Sequence, residues 1–93
     1  KNGVLQVLEK WKDFPGSLIF YESKYKIEKT LSLLEFAYGP ERFVCVAREL
    51  TKVHETILTG ALSKIRPLVA QRSTKGEFTL VVARAGYSFE DAE

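Results

Sequence analysis

Methionine is absent from these 93 residues, and cysteine, histidine and tryptophan occur once each. Each scarcity excludes something. A single cysteine, Cys45, cannot close an internal disulfide, which fits a reducing compartment and a cytoplasmic location. One histidine and one cysteine leave too few soft ligands for a zinc site, so no metal is expected. No apolar run approaches the roughly 20 residues that span a bilayer, so no membrane partner is expected. Charge is scarce in its imbalance: 14 basic and 12 acidic side chains leave +2, too little to mark a nucleic-acid binder by itself. Phosphate-loop, dinucleotide-binding, CxxC and HExxH motifs are all missing. A chain that lacks methionine and opens on Lys1 inside a helical pattern is expected to be a fragment of something larger, with part of its site elsewhere.

What is present suits one small α/β domain over residues 1–93, with 45% hydrophobic and 28% charged residues. Residues 1–12 place Val4, Val7, Leu8 and Trp11 at helical spacing, and Asp13-Phe14-Pro15-Gly16 breaks that helix. The run 17–21, SLIFY, reads as a strand buried on both faces, with Ser23 as N-cap of the next helix. That helix, 24–38, carries Ile27, Leu31, Leu34 and Tyr38 on one stripe and stops at Gly39-Pro40. Strands follow at 42–47 and 55–59, then a helix over 61–70, in which Pro67 predicts a kink or an early end. A fourth strand spans 77–84, and the tail 85–93 is polar. This order admits a ferredoxin-like split βαβ or a mixed sheet, and periodicity does not choose between them.

The stretch 43–60 runs from strand through a polar loop into a second strand, and the loop between packs Arg48, Glu49, Lys52, His54 and Glu55 into eight positions. Loops at strand ends are where α/β domains place their chemistry. His54 has the unperturbed pKa of a general base, but a surface histidine at a strand start is the commoner arrangement. Glu22 and Glu49 would form a carboxylate pair if their strands run in parallel, against the commoner case of solvated strand-end carboxylates. Lys24, Tyr25, Lys26 and Lys29 make a basic, aromatic start to the long helix. With Arg48 and Lys52 on the same rim they could hold phosphates. RFVCVARE lacks the aromatic pattern of an RNA-recognition motif. Cys45, inside an apolar run, reads as a small core residue.

SLIFYES at 17–23, AREL-TK-HE across 47–55, TG-L at 59–62 and KGEFTLVV at 75–82 occur together and in order. In that combination the chain resembles the C-terminal domain of the ribosomal RNA small subunit methyltransferase I family, within the tetrapyrrole (corrin/porphyrin) methylase superfamily. The resemblance implies a two-domain enzyme that binds S-adenosylmethionine between domains and 2′-O-methylates a cytidine ribose in small-subunit ribosomal RNA. It also implies an N-terminal cofactor-loop domain outside these residues, a homodimeric parent, and an isolated fragment that is inactive. The implied fold is a five-stranded mixed sheet packed with helices and lacking its first strand here, with the fourth strand of this chain antiparallel between the first two. The absent strand would leave the SLIFY edge open to self-association. By position, Glu22 and the turn Glu49, Leu50 and Thr51 would contact the cofactor, and Lys26, Arg48 and Lys52 would face RNA. Tyr25 and Lys26 stand where the family commonly has a basic pair such as His-Arg, and lysine lacks arginine's bidentate fork. No catalytic base is named by the resemblance. Two alternatives remain: a domain of a tetrapyrrole methyltransferase, and a non-catalytic binding or dimerisation module.

Overall fold

Alternating apolar and polar residues along four short segments build one sheet. The computed structural model describes residues 2–23, 25–49, 55–71 and 77–87. Among them are β1 (Leu18–Ser23), β2 (Phe43–Glu49), β3 (Glu55–Ala61) and β4 (Glu77–Val82), with helices α1 (Asn2–Lys10), α2 (Ile27–Tyr38) and α3 (Leu62–Gln71). The strand order is β1-β4-β2-β3, and every neighbouring pair is antiparallel. β4 therefore lies antiparallel between β1 and β2, as the resemblance implied. A ferredoxin-like order with β4 at an edge is excluded. The ladders joining these four strands are antiparallel throughout; the mixed character expected of the sheet would need the further strand.

The topology follows from two interlocked crossovers. β1 and β2 run the same way with β4 between them, and β3 and β4 run the same way with β2 between them. A half-turn about the sheet normal relates the two connections, so the same right-handed rule sends α2 and α3 to the same face. The two helices do pack against each other there.

That face holds the core. Leu18 and Phe20 stand opposite Val82 and Leu80, which stand opposite Val44 and Val46. Ile27, Leu31 and Leu34 of α2 and Leu62, Ile65 and Val69 of α3 close over these rows. α2 ends where Gly39 adopts φ 95°, a conformation that costs glycine little, and its N–H donates to the Glu35 carbonyl. α3 begins where Leu62 and Ser63 donate their N–H groups to the carbonyls of Arg42 and Pro40, satisfying two donors a helix start leaves open.

Several expectations change. SLIFY is not buried on both faces: β1 is the edge strand of a sheet covered on one side, so Ile19 and Tyr21 are 57% and 78% exposed. α1 lies at the margin of the sheet, so of its apolar stripe only Leu8 is buried, while Val4, Val7 and Trp11 are exposed. Ser23 is the last residue of β1, and α2 starts after Lys26 without a side-chain cap. The strand pairing Ser23↔Glu77 takes the residue that a helix cap would have used. Of the two outcomes expected at Pro67, an early end does not occur: α3 continues to Gln71, because an exposed proline there forfeits a single backbone bond. Cys45 is half-buried on the outer face and does not join the core cluster.

Burial still pushes the Cys45 thiol above its ordinary value. A raised pKa leaves less thiolate at neutral pH, and thiolate is the reactive form. Iodoacetamide at about pH 8 should therefore label Cys45 about tenfold more slowly in the folded chain than in urea. Mass spectrometry of timed aliquots reads this directly, and equal rates would contradict it.

Candidate functional site

Because β1 and β2 run in the same direction, both end on one rim, where α2 also begins. The register makes this specific. Glu22 pairs with Phe78, and Phe78 pairs with Arg48. Glu22 and Arg48 thus occupy one row on the helix-covered face, two strands or ~10 Å apart. Ser23, Glu77 and Glu49 form the next row, with Glu49 as the final rung of β2, also paired to Glu55. Glu22 and Glu49 belong to successive rows of the ladder, on parallel strands separated by β4 rather than on neighbouring ones. Leu50, Thr51, Lys52 and His54 lie outside the described residues.

Glu22 is half-buried, and the Thr30 hydroxyl donates to its Oε2 at 3.0 Å. Thr30 sits one turn into α2, so this bond ties the end of β1 to the helix that follows. Lys26 and Lys29 are exposed on the same first turn, beside Tyr25 at 83% exposure. Between α1, the end of β1 and the start of α2 lies a groove of about 620 Å³. Glu22, Lys26, Lys29 and Thr30 supply its polar groups, and Val4, Val7, Phe20 and Leu33 supply its apolar surface. Sequence reading identified Glu22 and Lys26, yet it missed the role of α1. Val4 and Val7 look like core residues by spacing, and they line this open groove instead. Among the described residues, no three His, Cys, Asp or Glu side chains are gathered as a metal ion requires. No described helix is long and apolar enough to cross a membrane.

The fold is that of a small α/β domain, with polar groups gathered outside the carboxyl ends of β1 and β2. The comparisons carry that class further. No family model matches the chain. It is 42% identical over 73 residues to a protein of Xylella fastidiosa named ribosomal RNA small subunit methyltransferase I, a span covering 76% of this chain and 27% of that protein. It is 38% identical over 88 residues to the protein of that name from Halalkalibacterium halodurans, covering 95% of this chain and 30% of the relative. The same name belongs to a Synechocystis protein, 38% identical over 80 residues, with 86% of this chain and 29% of the relative covered. Across these spans the chain is a homologue of the ribosomal RNA small subunit methyltransferase I proteins. It spans less than a third of the length of these curated relatives.

Proposed function

We propose that these residues form the C-terminal domain of an S-adenosylmethionine-dependent methyltransferase. Its substrate in this reading is the 2′-hydroxyl of a cytidine ribose in small-subunit ribosomal RNA. The observation that carries the reading is the similarity to three relatives of that name over most of this chain. The rim is consistent with it, since Glu22 and Arg48 lie near the ends of β1 and β2 and Lys26 at the start of α2.

The residues present fit part of such a cofactor. Glu22 offers a carboxylate oriented by Thr30, suited to accept from an amino or hydroxyl group. The end of β2 at Glu49 leads into Leu50 and Thr51, proposed to contribute backbone contacts. When bound, the cofactor supplies an electrophilic methyl group. The protein's part is to hold the acceptor in line and exclude water. Arg48 and Lys52 are proposed to face the RNA, and the remaining cofactor loops to lie in a separate N-terminal domain. A homodimeric, cytoplasmic parent belongs to the same proposal.

The test is transfer of labelled methyl from S-adenosylmethionine by the longer protein that contains this chain. Small ribosomal subunits and a tetrapyrrole precursor serve as competing acceptors. Label is expected in ribosomal RNA, at a linkage that resists alkaline cleavage because the 2′-hydroxyl is blocked. Label in the tetrapyrrole, or on a base, would overturn the assignment. The 93-residue chain alone is expected to transfer none. In the longer protein, Glu22→Gln should raise KM for the cofactor about tenfold, the loss of one hydrogen bond to a charged group. An unchanged KM would remove Glu22 from the cofactor site.

A further inference from the structure

We propose that the groove between α1 and α2 receives one unstacked nucleotide of an RNA strand. This inference rests on the RNA reading above and adds a binding position to it. The groove, about 620 Å³, lies within the roughly 300–1,000 Å³ range of sites that enclose small ligands. Its apolar surface is displayed to solvent: Val4 and Val7 are 48% and 54% exposed although they belong to an amphipathic helix. Phe20 and Leu33 continue that surface across β1 and α2. A base face is flat and apolar, and single-stranded RNA is held by laying such faces on apolar and aromatic side chains.

Charge selects the occupant. Lys26 and Lys29 stand three residues apart on α2, so both ammonium groups reach the same lip of the groove. The nearby Glu28 instead lines the groove between α2 and α3, on the side of the Glu35–Arg66 ion pair, and does not oppose them. An anionic strand with an apolar face suits this lip and floor. At the inner end Glu22 is a fixed acceptor: its Oε2 takes the Thr30 hydroxyl at 3.0 Å and would be shared with the cofactor, and its second oxygen, Oε1, is left for a base. A carboxylate there accepts from the exocyclic amine of cytosine, adenine or guanine, whereas uracil offers only its N3–H, flanked by two carbonyl oxygens that repel a carboxylate. The groove therefore discriminates against uridine. Its inner end at Glu22 lies in the same sheet row as Arg48, about 10 Å away across β4.

The test uses the 93-residue chain with fluorescently labelled octanucleotides of cytidine and of uridine, followed by anisotropy between about 50 and 200 mM salt. Oligocytidine is expected to bind about tenfold more tightly than oligouridine, and Glu22→Ala should abolish that preference. The double variant Lys26→Gln/Lys29→Gln should reduce the slope of log affinity against log salt by about 1.4, the share of two single-strand phosphates. Val7→Glu, which places a carboxylate on an already exposed position, should weaken both oligonucleotides. Circular dichroism of each variant establishes that the fold is kept. If the parent chain binds RNA and the variants match it in affinity and slope, the groove assignment is overturned while the RNA reading stands. Displacement of the RNA by oligoglutamate at equal charge would assign the groove to an acidic peptide instead. A parent chain that binds neither oligonucleotide also overturns it, and the methyl-transfer assay on the longer protein then judges the RNA reading separately.

Discussion

Replacing Arg42 by alanine should lower the unfolding free energy by about 3 kcal/mol, the loss of two hydrogen bonds from a charged donor and of its packing. For a domain of this size that corresponds to a fall in Tm of about 15 °C. Arg42 is 8% exposed, the one charged side chain buried among the described residues. Its guanidinium lies 4.3 Å from the centre of the Tyr38 ring. One terminal nitrogen donates to the Ala83 carbonyl at 3.3 Å, and the other to the Lys12 carbonyl at 3.2 Å. The Tyr38 hydroxyl in turn donates to the Leu8 carbonyl at 2.7 Å. This pair therefore joins the end of α1, the end of α2, the start of β2 and the segment after β4. Burial pulls the Arg42 guanidinium down from its ordinary value, with Tyr38 and Asp13 acting in the opposite sense. Truncation would leave two carbonyls without their donor and a void where the stem packed. Arg42→Lys keeps the charge but not the fork that reaches both carbonyls, so it should recover only part of the loss. Arg84→Ala provides the control, since Arg84 is exposed and its change should cost no more than about 0.5 kcal/mol. Urea titration followed by circular dichroism measures all three. A loss at Arg42→Ala no larger than at Arg84→Ala would show that the node holds nothing together.

The importance of Arg42 was not legible in the sequence, where it reads as the polar first residue of a strand. Its acceptors are backbone carbonyls 30 and 41 residues away, and no side-chain pattern marks a carbonyl. What was legible had a local cause. The α2 stripe Ile27, Leu31, Leu34 and Tyr38 is fully or nearly buried because one helix face suffices to reach the core, and periodicity reports that face directly. The stop at Gly39-Pro40 is equally local. β1 and α1 misled because apolar content was read as burial. An edge strand in a one-sided sheet leaves Ile19 and Tyr21 in solvent, and a helix at the sheet margin brings only Leu8 to the core. The site divides the same way. Glu22 and Lys26 could be named from their place after a strand and before a helix. That Glu22 and Arg48 share a row depends on β4 lying between their strands, a non-local fact that only the family resemblance anticipated.

Leu80→Ala should be the costliest single truncation in the sheet, at about 3–4 kcal/mol. Leu80 is fully buried and lies on β4, between Phe20 of β1 and Val46 of β2. Its side chain meets neighbours from both flanking strands and from the helices above, so little can collapse into the space it would leave. β4 is also the only described connection between β1 and the β2–β3 pair. Loosening it separates Glu22 from Arg48, so the proposed RNA and cofactor contacts should weaken along with stability. Ile19→Ala removes a similar apolar side chain from the neighbouring strand, yet Ile19 is 57% exposed on the outer face. It should cost no more than about 0.5 kcal/mol. The contrast tests the architecture itself, because both residues come from apolar runs that look alike in sequence. If Ile19→Ala proved as damaging as Leu80→Ala, the outer face of the sheet would have to be covered in solution. Its stability would then depend on protein concentration if a second copy of the chain did the covering, and dilution before the urea titration would expose that.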